Sequence, residues 1–353
     1  MKIAIDITPF TDKRVGSHRV RGTGFYLEYL KRSLLKYHPD NEYIFFTRGE
    51  SVDKSVNLIH YPYFEPFFNT LPRSNFSKTV ITVHDLTPLV FPKYFPAGIR
   101  GSFNWHIQKL KLRQASGIIT DSYSSQNDIV GIAGVEKEKV DVVYLAAADE
   151  FRKLDRGDWK DKIIQKYSLP EEFVLYVGDV TWNKNLPRLI HAVKEINLSL
   201  VMVGKTLTEK LFNAKNPWNK DLLEVNKLAD GDRRIIKLGF VSTDDLVSLY
   251  NSAVLFVMPS LYEGFGLPII EAMQCGCPVV TTKGGSITEV GGDAVFYVDE
   301  YDTQSIARGI SEVFFTKKMQ DELSLKGLQQ AKKFNWKKTA DKTIGVYKKV
   351  LST

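Results

Sequence analysis

The sequence predicts two α/β domains, each built on a parallel sheet, with a cleft between them. Three observations carry this. At 353 residues the chain is too long for one ordinary core. Short β-branched runs alternate with amphipathic stretches, the pattern of repeated βαβ units. The alternation also begins afresh at a nearly all-apolar run, Phe173–Val177, that ends in Gly178.

In the front half the strand candidates are Lys2–Ile7, Tyr43–Thr47, Leu58–Tyr61, Thr79–Val83, Gly117–Thr120 and Val140–Tyr144. Helices are expected over Gly24–Tyr37, Gly101–Ala115 and Ser124–Ile132. Between Thr8 and Arg21 a long polar loop is expected, and long loops in compact domains are usually functional. Asp155–Ser168 is charged, is closed by Leu169-Pro170, and reads as the connection. The second series adds Leu198–Val203, Arg234–Leu238, Val254–Met258, Pro278–Thr281 and Ala294–Val298 as strands. The expected domains are 1–165 and 166–335. Ligands of such sheets sit beyond the carboxyl ends of the strands. That rule selects Gly22–Gly24, His84–Asp85, Gly178–Lys184, Gly204–Lys205, Gly239–Phe240 and Ser260–Gly266.

Composition narrows the class. Hydrophobic residues make up 43% and charged residues 25%, which excludes a disordered or fibrous chain. No apolar run approaches the ~18 residues that span a bilayer. The first residues read as a strand rather than a signal peptide. Cys275 and Cys277 are too few for a disulfide framework and lack the second pair of a zinc site, so a reducing, cytoplasmic setting is expected. The net charge of +7 lies at the front, where residues 1–113 hold 17 Lys and Arg against 9 Asp and Glu. Lys93, Arg100, Lys109, Lys111 and Arg113 occur there among many aromatic residues. A solvated face over an aromatic core and an anionic membrane or acceptor surface both fit; a nucleic-acid partner is not expected.

The most informative stretch runs from Met258 through Glu263-Gly264-Phe265-Gly266-Leu267-Pro268 to Glu271 and on to Pro278. A strand ends at Met258, and Pro268 sits where a first helical turn accepts proline. Glu271 is then expected in that first turn, where dipole compensation alone would account for it. Gly264 and Gly266 leave backbone amides open to a phosphate or hydroxyl. Two carboxylates beside them suit polyol recognition, since each accepts several hydroxyl hydrogens. His84 follows an apolar strand and fits either a satisfied core histidine or a polar group facing the cleft. Asp85 fits a loop-orienting cap better than a base. Glu289 fits a helix-start cap as well as a ligand contact. Gly204-Lys205-Thr206 mimics a P-loop end, but Ser199 stands where its first glycine is needed. Asp230 and Asp232 have metal-pair spacing but read as a charged turn, and no metal is expected.

The glutamates eight positions apart around Gly-Phe-Gly-Leu-Pro resemble the signature of glycosyltransferase family 4. Val80-Ile-Thr-Val-His84-Asp85-Leu86 is similar to its front-domain histidine motif, and Gly22-Thr23-Gly24 to its acceptor-side glycine loop. Phe173–Gly178 followed by Lys184-Asn185 resembles its phosphate-binding strand and loop. Phe334-Asn-Trp336 with Tyr347 resembles its last helix, which gives 336–353 as a helix returning to the front domain. The resemblance implies a GT-B fold of two facing Rossmann-like domains and retaining, metal-independent transfer from a nucleotide sugar to a glycan or lipid-linked acceptor. No cofactor is expected beyond that co-substrate.

Carried over, the resemblance gives Glu263 the donor sugar hydroxyls, Glu271 the ribose, and the amides of Phe265, Gly266 and Leu267 the sugar and diphosphate. Lys184 would neutralise the departing diphosphate. Gly178, Asn185, Gly204 and Lys205 would line the phosphates, and Gly239-Phe240-Val241 the base. His84 would be catalytic, and Gly22, Thr23, Gly24 and Asp85 acceptor-side. Many members have an arginine where this chain has Asp179, so part of the phosphate charge must be met elsewhere, Lys205 being one candidate. An epimerase or hydrolase on the same fold and a non-catalytic nucleotide-sugar scaffold are the competing readings. The similar style of His-Asp-Leu-Thr-Pro-Leu and Gly-x5-Lys-Asn favours GDP-mannose, then a UDP-sugar.

Overall fold

The computed structural model describes residues 1–11, 19–72, 78–155, 157–209 and 211–353. They form two compact units, one of residues 1–146 with 335–353 and the other of residues 147–334. Residues 147–165, expected with the first domain, group with the second.

The first unit holds a six-stranded parallel sheet of β1 (Lys2–Asp6), β2 (Glu42–Phe46), β3 (Leu58–Tyr61), β4 (Lys78–Thr82), β5 (Gly117–Thr120) and β6 (Val140–Val142). Its order is β2-β1-β3-β4-β5-β6, so the winding reverses between β1 and β3. Strands β3 and β5 are buried at every position, as continuous apolar runs in two-sided sheets must be. The final helix Trp336–Ser352 packs on this unit: Lys78 Nζ donates to Val350 O at 2.9 Å and Thr339 Oγ1 to Tyr144 O at 2.8 Å. Tyr347 OH meets the buried His60 Nδ1 at 2.7 Å, and His60 Nε2 meets Thr82 Oγ1 at 2.8 Å. Burial, with the charge of His84 added, holds the His60 imidazole down at about 3.

The second unit holds β7 (Val174–Val177), β8 (Leu200–Val203), β9 (Ile235–Gly239), β10 (Leu255–Met258), β11 (Val279–Thr281) and β12 (Phe296–Tyr297). All pairings are parallel in the order β12-β11-β10-β7-β8-β9, which is the Rossmann order with its reversal between β7 and β10. The amphipathic helix Leu186–Glu195 buries Leu186, Leu189, Ile190 and Val193 against this sheet.

Three local expectations need correction. Gly22, Thr23 and Gly24 are not a loop: they lie inside the helix Arg19–Tyr37. Each glycine costs about 1 kcal/mol there, but burial of Tyr26, Leu27, Leu30 and Leu34 along one face outweighs it. Residues 12–18 of the expected Thr8–Arg21 loop lie outside the described residues. The charged connection contains a helix, Trp159–Tyr167, that buries Ile163 and is tied to Asp245 by Lys166 and Tyr167. Glu271 is the fifth residue of the helix Leu267–Gln274, past its first turn, so helix-dipole compensation does not account for it.

Candidate active site

In the second unit the predicted residues gather at the carboxyl ends of β7, β8, β9 and β10. Gly178 follows β7 and Gly204 follows β8 directly, and the two backbones pass so closely that a Cβ on Gly204 would lie 2.1 Å from Gly178 O. Only glycine permits that approach. Lys205 begins the short turn after Gly204 and lies 4.0 Å from Glu209. Thr206 links the two loops, donating to Asp179 Oδ1 at 3.3 Å and accepting from Val180 N at 3.2 Å. Asp179 is thereby tied to the β8 loop. Gly239 ends β9, with Phe240 exposed and Val241 buried beside it.

The loops after β7 and β10 are stitched together by their asparagines. Asn183 Nδ2 donates to Tyr262 O at 2.9 Å, and Leu261 N to Asn183 O at 2.7 Å. Asn185, in a left-handed conformation at φ 59°, donates to Pro259 O at 3.0 Å and Glu300 O at 2.8 Å. Ser286 Oγ holds the carbonyls of Glu263 and Phe265 at 3.0 and 2.8 Å. This scaffold sets Lys184 Nζ 2.8 Å from both Glu263 carboxylate oxygens. The Glu263 side chain is 9% exposed and that of Lys184 23%, so the pair is partly desolvated. It spans the point where the strand order reverses, the place where sheets of this topology receive ligands.

Gly266, at φ 96°, caps the helix Leu267–Gln274, with Pro268 in its first turn. That leaves the amides of the Gly264–Leu267 segment at the positive end of the helix. Glu271 is buried and accepts from Tyr250 OH at 3.0 Å. Burial, then the charge of Glu271, pushes the Tyr250 phenol well above its ordinary value, so it stays a donor. Glu289 lies in the first turn of the helix Ile287–Gly291. Asp232 is bound by Arg234 at 3.0 Å and Lys194 at 3.3 Å, as a charged turn requires.

In the first unit Asp85 Oδ1 accepts from Thr87 N at 2.8 Å, a local turn that orients the loop leading into the short helix Thr87–Val90. His84 Nδ1 lies 2.7 Å from Asp121 Oδ2, and the edge of Tyr26 meets its ring at 4.8 Å. Asp121 was absent from the sequence-based set; it follows β5 in a sequence, Thr120-Asp121-Ser122, that carries no signal of its own. His84 Nε2 is buried without a hydrogen-bond partner among the described residues. Burial disfavours the imidazolium, yet Asp121, with Asp85 and Glu65 adding, outweighs it and raises the His84 pKa. Burial also raises the Asp121 carboxyl. The 2.7 Å contact to Asp121 fixes the orientation of the imidazole and leaves Nε2 as its other polar edge.

Sequence reasoning also missed a cavity of about 1160 Å³ beside the carboxyl ends of β1 and β3, touching Asp6, Arg48, Tyr61, Leu71, Phe103 and Lys111. It is assembled from separate segments, so no contiguous motif announces it.

Comparison with known proteins places these features. The family profile for glycosyl transferases group 1 matches residues 159–330. O-antigen chain mannosyltransferase B of Escherichia coli is 31% identical over 273 residues, covering 77% of this chain and 70% of that protein. The serotype-specific mannosyltransferase WbdA of Escherichia coli is 31% identical over 284 residues, or 78% of this chain. That match covers 34% of WbdA, so the chain spans about a third of that relative. The sucrose-phosphate synthase of Thermosynechococcus elongatus superposes with a TM-score of 0.76 at 19% identity, over 100% of this chain and 99% of that one. The fold is GT-B.

Proposed function

The chain belongs to glycosyltransferase family 4, and we propose that it moves mannose from GDP-mannose, with retention, onto a glycan or lipid-linked acceptor in envelope polysaccharide assembly. The observation that carries this reading is the Lys184–Glu263 pair at the reversal between β7 and β10. Lys184 Nζ is the cation for the diphosphate, and Glu263 holds it in place while accepting donor hydroxyls. The helix-end amides from Gly264 to Leu267 take the remaining phosphate charge, and Lys205 stands in where Asp179 replaces the expected arginine. Glu271, fixed by Tyr250, accepts the ribose hydroxyls.

Charge develops on the diphosphate oxygens as the bond from the anomeric carbon breaks, and a preorganised cation stabilises it there. The acceptor oxygen forms the new bond on the same face. Its proton passes to the leaving phosphate oxygen, so no covalent nucleophile is required. His84 Nε2, oriented through Nδ1 by Asp121, hydrogen-bonds a hydroxyl of the transferred sugar. GDP-mannose is preferred to a UDP-sugar because several relatives that match over more than three quarters of this chain are named mannosyltransferases. No helix among the described residues is long and apolar enough to cross a membrane. We assign the protein to the cytoplasm, peripheral to the inner face of the membrane.

The test is GDP release from GDP-mannose, with and without envelope-derived acceptor, in EDTA. Acceptor-dependent, EDTA-insensitive release is expected. GDP release without acceptor replaces the transferase with a hydrolase, a new sugar nucleotide without GDP release replaces it with an epimerase, and binding without either leaves the scaffold that Asp179 favours.

A further inference from the structure

The helix Gly98–Gln114 carries apolar residues on its outer face. A surface helix of a globular protein buries its apolar stripe and shows its polar face to water. Here the buried face is Gly101, Asn104, Gln108 and Leu112. Its amides are pinned inward, Asn104 Nδ2 to Phe67 O at 2.9 Å and Gln108 Nε2 to Phe68 O at 2.6 Å and Thr70 Oγ1 at 2.7 Å. Leu112 and Trp105 pack on the core, but three apolar residues face outward: Ile99 is 94% exposed, Phe103 66% and Leu110 58%. At about 100° per residue, positions 99, 103 and 110 fall on one stripe.

Single exposed apolar residues are ordinary, but a stripe of them with a polar face buried beneath is not. Arg100 flanks the stripe on one side and Lys109 on the other, while Lys111 Nζ donates to Leu71 O at 2.9 Å and Arg113 Nε to Ala133 O at 2.7 Å. The helix has no Asp or Glu. Lys93 lies over the ring of the exposed Tyr94 at 5.7 Å, just before this helix in the chain. An apolar ridge between cationic flanks, on a helix lying along the surface, is the chemistry that enters the headgroup layer of an anionic bilayer.

We propose that the helix Gly98–Gln114 docks this protein on anionic lipid, with Ile99, Phe103 and Leu110 entering the acyl boundary and Arg100 and Lys109 meeting lipid phosphates. The inference rests on the peripheral-membrane reading above but not on the donor chemistry.

Co-flotation of the full chain with phosphatidylglycerol-containing vesicles tests it, with neutral phosphatidylcholine vesicles as the control. Binding to the anionic vesicles, weakened but not abolished by 0.5 M salt, is expected. The variant I99S/L110S should bind at least about ten-fold more weakly. R100Q/K109Q should lose roughly 30-fold, since each cation near an anionic surface contributes a factor of about five. Ile99, Arg100 and Leu110 are exposed and Lys109 is half-buried, and unchanged melting points and nucleotide-induced shifts show that both variants fold and keep the donor site. Absence of binding to anionic vesicles overturns the proposal, as does wild-type binding by both variants or equal binding to neutral vesicles. Tight, R100Q/K109Q-sensitive binding to a short DNA duplex in place of vesicles would reassign the surface to nucleic acid.

Discussion

Replacing Lys184 with alanine should lower stability and rate for separable reasons. The variant leaves the Glu263 carboxylate, 9% exposed, without its cation. Breaking a fully buried pair from one side costs about 3–5 kcal/mol. Water reaches this site, because the Lys184 side chain is 23% exposed, so a loss of about 1–2 kcal/mol is expected. The rate should fall further, by ~10²–10³, because the charge that forms on the diphosphate is lost from the transition state. A double variant, Lys184→Met with Glu263→Gln, removes both charges at similar volume. It should regain most of the stability and none of the activity. Urea melts and GDP release at saturating donor measure the two quantities on the same preparations. Turnover by Lys184→Ala within ten-fold of the parent would refute the assignment. A double variant no more stable than the single one would refute the electrostatic explanation of the stability loss.

Asp121→Asn should move the His84-dependent limb of the pH–rate profile to lower pH, and Asp121→Glu should restore part of it; a structural role alone would lower the rate without moving the limb. Because the folded His84 pKa is raised, the stability it lends is present below its unfolded value near 6.5 and lost as pH rises through the folded value. The gap in melting point between parent and Asp121→Asn should therefore widen on acidification through that range. His60 runs the other way: its folded value near 3 lies below the unfolded value, so protons bind the unfolded chain and stability falls as pH drops from about 6.5 toward 3. By pH 4.5 this amounts to about 2–3 kcal/mol, and His60→Gln should flatten that slope in thermal melts. Gly204→Ala must push its Cβ away from Gly178 O, where the built distance is 2.1 Å. It should cost about 1–3 kcal/mol in chemical denaturation and weaken nucleotide binding together with stability.

Most of the fold was legible because buried parallel strands are continuous apolar runs, and Leu58–Tyr61 and Gly117–Thr120 match their predicted bounds. The helix Trp159–Tyr167 was hidden because only Ile163 is buried, and its other anchors are polar bonds to Asp245, which no periodicity reveals. The Gly22–Gly24 segment misled because glycine marks loops in sequence, while burial of Tyr26 and Leu27 decides the helix. In the site, Lys184 and Glu263 could be named from spacing, but their direct contact depends on the Asn183 and Asn185 bridges between the two loops. Asp121 was invisible because its importance comes from packing against His84, 37 residues away. The helix Gly98–Gln114 was half legible: the basic, aromatic composition drew notice, and only burial showed that Ile99, Phe103 and Leu110 face outward.

The most direct test of the central claim is a thermal-shift titration of the protein with GDP, GDP-mannose, UDP and UDP-glucose in EDTA, repeated on Lys184→Ala. A ligand at 100 times its dissociation constant adds about 2.7 kcal/mol of stability, a clearly displaced midpoint. The account predicts a shift with the guanine nucleotides, insensitive to EDTA and much reduced in Lys184→Ala. No shift with any nucleotide, or an equal shift in the variant, would contradict it.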